Sequence, residues 1–313
     1  MSVHTIPAQF AYKAEAVDLP ADLPRSRPIS VIGDPDGALD YIAYVPENAR
    51  KDAPLLVCVH GIKRNPAEQV FRFARHAERM GVILLAPHFT KKRFRRYQTL
   101  APDRRGNLPE VALDHAIDDW IARSNIRPQK LFLFGFSGGA QFIHRYAMLG
   151  RRKIDAMAVA SPGWFTLPDR DLPYPFGTGP SEKLGTRVMD ESRLLETPTL
   201  VLVGERDTAR NPTLNTNPII ERTQGLNRVE RASTWNESVR ALRAARMKSV
   251  ACELRVIERA THSFSRMMKR QKMGEVIFDW LNQLEGSDRT DGRSNAITTE
   301  AWGTKYDYVG INP

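Results

Sequence analysis

Residues 130–149, KLFLFGFSGGAQFIHRYAML, are the stretch that decides the fold of this chain. The apolar run 131–134 is typical of a strand buried on both faces. The residues after Gly139 have the apolar spacing of a helix. Between the two lies Gly-Phe-Ser-Gly-Gly, which fits the pattern G-x-S-x-G. A serine at a sharp strand-to-helix turn exposes its hydroxyl above the end of a sheet, so the stretch predicts that Ser137 is a nucleophile.

On either side of this stretch, short β-rich runs alternate with helical patterns. This alternation predicts an α/β fold with a mostly parallel central sheet flanked by helices. The predicted strands cover 38–45, 54–60, 82–86, 130–135, 156–160, 199–204 and 251–257. The predicted helices cover 66–80, 108–124, 138–149, 227–248 and 264–284.

The predicted strands and helices divide the chain into an N-terminal arm, 1–37, one domain, 38–284, and a polar C-terminal tail, 285–313. Within the domain, 161–196 is proline-rich and too long for a simple connection, so we interpret it as a small lid-like insertion. Its aromatic residues Trp164 and Phe165 are candidates for substrate contact.

A serine hydroxyl needs a general base near neutral pH, and the base needs a partner that holds its tautomer. His262 follows the last predicted strand and precedes the last helix, which is the position expected for the base; His88 is a weaker rival. Asp207 follows the run TLVLVG and is the preferred acid. Glu205 is the alternative, and Asp190 is a more distant one.

Attack on a carbonyl builds negative charge on its oxygen, and backbone N–H groups must be in place to stabilise it. The residue after the nucleophile, Gly138, is expected to supply one N–H group. The second is expected from the turn after the strand 54–60, where Gly61 permits the turn. Ile62 is the preferred donor and Lys63 the second choice, and His60 is expected to brace the turn by hydrogen bonding.

The chain is basic, with a formal net charge of +10 and a pI of about 9.7. Lys63 and Arg64 follow the predicted oxyanion turn, and a basic run, 91–96, follows the strand 82–86. Loops at the carboxyl ends of parallel strands line one rim, where ligands bind. Two interpretations stay open. These basic side chains attract an anionic substrate, or they form an ordinary solvated surface.

Several classes of function find no support in the sequence. No zinc-finger spacing or aromatic RNA-binding signature accompanies the positive charge, so nucleic acid is not expected as a partner. No run approaches the ~18 apolar residues that span a bilayer, and no signal-peptide pattern is present, so the expected location is the cytoplasm. Cys58 and Cys252 lie in apolar runs, as buried thiols do. The sequence leaves open whether the chain forms a homo-oligomer.

Four short motifs come in a recognisable order. They are HG at 60–61, GFSGG at 135–139, GERD at 204–207 and THSF at 261–264. Together they resemble the α/β-hydrolase superfamily over about residues 38–284, and within it the small esterase branch related to polyhydroxybutyrate depolymerases and feruloyl esterases. The resemblance implies the α/β-hydrolase fold and acyl transfer without a metal or cofactor.

These features predict a serine hydrolase that cleaves a small carboxylic ester through Ser137, His262 and Asp207. Two alternatives remain. The same triad also cleaves amide and peptide bonds, and a protein with this body can be a catalytically inert binding module.

Overall fold

The computed structural model describes residues 23–33 and 39–290. In this part of the chain, eight strands form one sheet. The strands are β1 (Pro28–Val31), β2 (Tyr41–Tyr44), β3 (Leu55–Val59), β4 (Ile83–Pro87), β5 (Leu131–Phe136), β6 (Ala156–Ala160), β7 (Thr199–Gly204) and β8 (Cys252–Ile257).

The helices of the described ranges connect these strands or follow the last one. They are α1 (Pro66–Met80), α2 (Pro109–Ser124), α3 (Gly138–Met148), α4 (Glu191–Glu196), α5 (Pro218–Gln224), α6 (Arg228–Ala245), α7 (Phe264–Arg270) and α8 (Met273–Thr290). Each of the longer ones has recognisable ends. For α1, the Asn65 side chain accepts a hydrogen bond from the Glu68 N–H, Pro66 begins the helix, and Gly81 ends it in the left-handed conformation.

The strand order is β1-β2-β4-β3-β5-β6-β7-β8. β1 and β2 pair antiparallel, β2 pairs antiparallel with β4, and the other pairs from β4 to β8 are parallel. The predicted α/β class with a mostly parallel sheet is therefore confirmed. Every residue of β3 to β7 is buried except the first residue of β5, because helices cover both faces of a parallel sheet.

The sheet changes its direction of growth at β3. β4 is added on one side of β3, and β5 and the following strands are added on the other. Val59 at the end of β3 pairs with Gly135 near the end of β5, although 76 residues separate them. The loops that follow β3 and β5 therefore meet at a topological switch point, which is where open α/β sheets bind ligands.

The structure differs from the sequence-based prediction in several elements. β1 lies within the predicted N-terminal arm, 1–37, and β2 is shorter than the predicted strand 38–45. The predicted helix 264–284 is two helices, since Lys272 between them has a φ of 55°. The short helices α4 and α5 lie in stretches for which no helix was predicted.

The chain divides into two units, Met1–Phe278 and Asp279–Pro313, so the boundary falls inside α8 and before the predicted tail, 285–313. Of the second unit, the structure describes the end of α8; residues 291–313 lie outside the described ranges, as do 1–22 and 34–38. Among the described helices, none has a stretch long and apolar enough to cross a bilayer.

Candidate active site

The turn between β5 and α3 has the geometry that its sequence predicts. Ser137 has φ 55° and ψ −110°, a left-handed conformation that is strained for a residue with a side chain. Two glycines make the turn possible. A Cβ at Gly139 would lie 2.0 Å from the carbonyl oxygen of Val59, and a Cβ at Gly135 would lie 2.4 Å from the carbonyl carbon of Gly139. The strained turn is thus held by close backbone packing.

Ser137 is the first member of a line of three hydrogen-bonded side chains. Its Oγ lies 3.0 Å from Nε2 of His262, and Nδ1 of His262 lies 2.7 Å from Oδ2 of Asp207. His262 comes from the loop after β8, and Asp207 from the loop after β7. Asp207 is 1% exposed, so its contacts are shielded from water. In this arrangement His262 donates from Nδ1 to the carboxylate and can accept the serine proton at Nε2.

The rival acids and the rival base have other partners. The Glu205 carboxylate accepts a hydrogen bond of 2.7 Å from the backbone N–H of Arg259 at an exposed position. Asp190 caps α4 by accepting from the Ser192 N–H. The ring of His88 packs edge-on against the ring of His60, with centroids 5.9 Å apart. Asp207 and His262 are the pair that the structure brings to Ser137.

The turn after β3 lies directly beside the nucleophile. The N–H of Arg64 donates to the carbonyl of Gly61 over 2.9 Å, which closes a turn and leaves the N–H groups of Ile62 and Lys63 outside that bond. A Cβ placed on Gly138 would lie 3.5 Å from the backbone nitrogen of Ile62. The two expected oxyanion donors, Ile62 and Gly138, are therefore close neighbours.

His60 connects this turn to the loop after β4. Its Nε2 accepts a hydrogen bond of 3.1 Å from the N–H of Phe89, so the proton lies on Nδ1, which donates to Gly61 over 2.9 Å. Burial lowers the pKa of His60 to about 3, opposed by the bond to Gly61. The buried hydroxyl of Tyr97 donates to the His60 carbonyl over 2.6 Å. The turn is thus held from two sides.

Arg64 lies at the site but its guanidinium is used within the protein. It donates to the backbone carbonyls of Phe89, Phe94 and Arg95, and it lies over the Tyr97 ring, 5.1 Å from the centroid. These contacts fasten the basic loop, 91–96, to the predicted oxyanion turn. The structure therefore places Arg64 as a brace, and substrate contact by Arg64, which also lines the cavity, stays a prediction.

A cavity of about 290 Å³ opens in front of Ser137. The predicted residues His60, Gly61, Ile62, Lys63 and Arg64 all line it, together with Ser137 and His262. The lining also includes polar side chains that the sequence analysis did not single out, and these are Asn65, Glu68, Gln69, Asn211, Thr213, Ser263 and Ser265.

Trp164 and Phe165 lie elsewhere than predicted. Neither lines this cavity. Phe165 is fully buried and stacks on Trp235, with ring centroids 4.8 Å apart, and Trp164 packs against the guanidinium of Arg145. Both rings are parts of the packed interior, so the predicted substrate contacts are corrected here. A lid function of 161–196 stays a prediction.

Arg228 is the residue that sequence reasoning missed. It is the first residue of α6, and its Nη1 donates to Oδ1 of Asp207 over 3.2 Å, with both side chains buried. Burial lowers the pKa of Arg228, and the Asp207 charge opposes that shift. Nothing in the residue pattern indicates this pair, because position 228 carries no motif and reaches Asp207 only through the fold.

No protein-family model matches the chain, and no curated protein matches it by sequence. Solved structures do match the chain, by their fold. A poly(3-hydroxybutyrate) depolymerase, LpqC from Bordetella parapertussis, has a TM-score of 0.67 and 24% identity, over 83% of this chain and 92% of its own. Poly(aspartic acid) hydrolase-1 from Sphingomonas sp. KT-1 has a TM-score of 0.66 and 22% identity, over 79% and 99%.

A third similar structure, an S-formylglutathione hydrolase from Agrobacterium tumefaciens, has a TM-score of 0.52 and 14% identity, over 83% of this chain and 94% of its own. At these identities the likeness concerns the fold. The chain has the α/β-hydrolase fold, as its motifs predicted, and its activity has to be argued from the site.

Proposed function

We propose that this protein is a serine hydrolase that cleaves a carboxylic ester through Ser137, His262 and Asp207. The observation that carries the proposal is the unbroken hydrogen-bonded line from the serine hydroxyl through the imidazole to a buried carboxylate. The close approach of Gly138 to the backbone nitrogen of Ile62, which lines the cavity in front of Ser137, adds to it. Nucleophile, base, orienting acid and oxyanion donors are the parts that acyl transfer requires.

The reaction proceeds in two halves. Ser137 Oγ attacks the ester carbonyl while Nε2 of His262 takes the hydroxyl proton, and Asp207 stabilises the imidazolium that forms. The N–H groups of Ile62 and Gly138 stabilise the tetrahedral oxyanion. The complex collapses, and the leaving alcohol takes the proton from His262. Water then repeats the sequence on the acyl-enzyme and releases the carboxylic acid.

A second candidate is cleavage of an amide bond by the same triad. One specific comparison favours it, since a protein that hydrolyses poly(aspartic acid) resembles this chain in structure as well as a polyester depolymerase does. Amides differ from esters mainly in the poorer leaving group, so the same residues serve both reactions. Matched p-nitrophenyl esters and p-nitroanilides separate the two candidates by their relative kcat/KM.

We further propose that the substrate carries negative charge. Lys63 is exposed and lines the cavity, and the basic loop, 91–96, is fastened next to it through Arg64. The whole chain has a formal net charge of +10, which favours encounter with anions. The expected partner is a small anionic ester or the end of an anionic polymer.

The central test is the substitution Ser137→Ala. The wild-type protein is expected to hydrolyse p-nitrophenyl esters and to be labelled by a fluorophosphonate probe, which reacts with activated serines. The variant is expected to lose at least about 10³-fold in kcat, because no other group can form the acyl-enzyme. It should keep the wild-type thermal unfolding midpoint. Labelling of the variant, or a wild-type protein that neither reacts nor labels, contradicts the proposal and favours an inert binding module.

A further inference from the structure

Arg228 contacts the carboxylate oxygen of Asp207 that His262 does not use. The imidazole bonds Oδ2 over 2.7 Å, and the guanidinium bonds Oδ1 over 3.2 Å. Arg228 is 1% exposed, so this pair is a buried ion pair directly behind the proposed base. A buried carboxylate without a counterion is costly, and a partner at one oxygen fixes the direction of the other.

The other end of the same guanidinium reaches the wall of the cavity. Its Nη2 donates to Oγ1 of Thr213 over 3.3 Å, and the Thr213 hydroxyl donates to Oδ1 of Asn211 over 2.5 Å. Asn211 and Thr213 both line the cavity in front of Ser137. All bonds in this line run in compatible directions, since the threonine hydroxyl accepts from the arginine and donates to the amide oxygen.

We propose that Arg228 is a positioning residue of the active site, which fixes Asp207 for His262 and joins it to the cavity wall at Asn211 and Thr213. The inference rests on the proposed hydrolase function. It adds a fourth side chain to the proposed Ser-His-Asp line and connects the loop that carries Asp207 to two residues that line the cavity.

The experiment measures the second-order rate of fluorophosphonate labelling from about pH 5 to about pH 9. In Arg228→Met the positive charge is gone. The rate above neutral pH is expected to fall by about 10- to 100-fold, since the acid loses the partner that orients it. The kcat for p-nitrophenyl butyrate is expected to fall by a similar factor, because Asp207 acts on the reaction through His262.

Two further variants separate the pair with Asp207 from the link to the cavity wall. Arg228→Lys keeps the positive charge but cannot bond Asp207 and Thr213 with one planar group, so it should label more slowly than the wild type. Thr213→Val keeps the Arg228–Asp207 pair and removes the link to the wall. It should raise KM for p-nitrophenyl butyrate by a larger factor than it lowers kcat.

Arg243→Met is the matched control for loss of a buried arginine from the same helix. Arg243 donates to the backbone carbonyls of Val250, Leu194 and Thr197, away from the triad. Its variant is expected to lose thermal stability and to keep the wild-type labelling rate. If both Met variants are folded and label at the same rate, Arg228 has no part of its own in the reaction and the inference is wrong.

The outcomes distinguish this inference from the proposed function. If wild-type protein is not labelled at any pH, the hydrolase proposal itself fails. If wild-type protein is labelled and Arg228→Met, folded by its unfolding curve, labels at the wild-type rate, only the role of Arg228 fails. Should Arg228→Met not fold, Arg228→Lys decides, since a labelling rate equal to wild type would contradict the positioning role.

Discussion

Two buried histidines, His60 and His144, use their rings in the same way. In each, Nδ1 donates to a backbone carbonyl, of Gly61 or of Ala140, and Nε2 accepts from a backbone N–H, of Phe89 or of Thr166. A ring that accepts at one nitrogen has to be neutral. Burial accordingly lowers the pKa of His60 to about 3 and the pKa of His144 well below its usual value.

The two rings make stability depend on pH in a defined direction. Below the ordinary histidine value of 6.5, the unfolded chain binds protons that the folded protein cannot. The contribution of each ring to the free energy of unfolding is therefore complete above about pH 6.5. It falls as the pH decreases, by about 1.4 kcal/mol per pH unit, and for His60 this continues to about pH 3. In His60→Gln this dependence is expected to weaken by that amount, measured as the free energy of unfolding in urea at several pH values.

His144→Gln is the matched variant, because its ring makes the same pair of backbone contacts outside the proposed oxyanion turn. It should weaken the pH dependence to a similar degree, and the double variant should weaken it about twice as much. Carboxylates contribute equally in all four proteins, so the differences isolate the histidines. A slope in either single variant equal to the wild-type slope would refute the neutral-ring interpretation.

At the scale of elements, the turn after β3 and the loop after β4 act as one brace. Arg64 donates to three carbonyls of that loop, Tyr97 donates to the carbonyl of His60, and the rings of Phe89 and Tyr97 stack with centroids 4.8 Å apart. The proposed oxyanion donor Ile62 lies inside this brace. Its position therefore depends on contacts made by Arg64 and Tyr97.

Arg64→Met is expected to loosen the brace. The free energy of unfolding should fall by about 1–3 kcal/mol, since the carbonyls of Phe89, Phe94 and Arg95 lose their donor. The kcat for p-nitrophenyl butyrate should fall by about tenfold or more, because a displaced oxyanion donor stabilises the transition state less well. Urea unfolding and steady-state kinetics measure the two effects.

Lys63→Met is the control for the loss of stability, since the neighbouring side chain is exposed and removing its charge leaves the brace intact. Its unfolding midpoint should equal that of the wild type. If Arg64→Met unfolds at the wild-type urea concentration, the guanidinium contacts contribute no stability. The turn would then be held by the stacked rings of Phe89 and Tyr97.

Elements with a strong local signal could be predicted from sequence. α1, β6 and β7 have the predicted bounds, because a capped helix and continuous apolar runs leave little choice. The four-residue β1 and the short helices α4 and α5 could not be found by periodicity. Asp190 and Asn217 cap the two helices, but a capping residue in the sequence does not by itself distinguish a helix from a turn.

The residues of the candidate site also differ in whether the sequence could predict them. Ser137, Asp207 and His262 each follow a strand at the same rim, so their chain positions pointed to one place. Arg228 begins a helix after a long irregular segment, and no rule links its number to that rim. The substrate contacts predicted for Trp164 and Phe165 were wrong for a different reason. An aromatic residue in an irregular segment has the same local pattern whether it faces a ligand or the core.

At the scale of the whole molecule, the positive charge is expected to act on association rather than on folding. The exposed Lys63 lines the cavity, and the basic loop, 91–96, is bonded to the neighbouring Arg64. Such a field attracts anions over about 10 Å at moderate ionic strength and is screened as salt increases.

Ethyl hydrogen succinate and ethyl butyrate form a matched pair of anionic and neutral esters. The kcat/KM for the anionic ester is expected to fall with added salt, while that for the neutral ester stays nearly constant. In Lys63→Met the anionic ester should lose about two- to fivefold at low salt, as expected for one exposed charge. The measurement is the release of acid in a pH-stat. Equal salt responses of the two esters would remove the anionic preference.

The segment between β7 and α5 has a practical consequence for changing the substrate range of the proposed hydrolase. It carries Asp207 and, a few residues later, the wall residues Asn211 and Thr213, with Arg228 bonded to both ends. A mutant library that randomises 211 and 213 would therefore select for catalytic rate and substrate range at once, and improvements in one would be masked by losses in the other. Directed evolution is better begun at Ile62, whose side chain is 50% exposed and whose proposed catalytic part is the backbone that every replacement except proline retains.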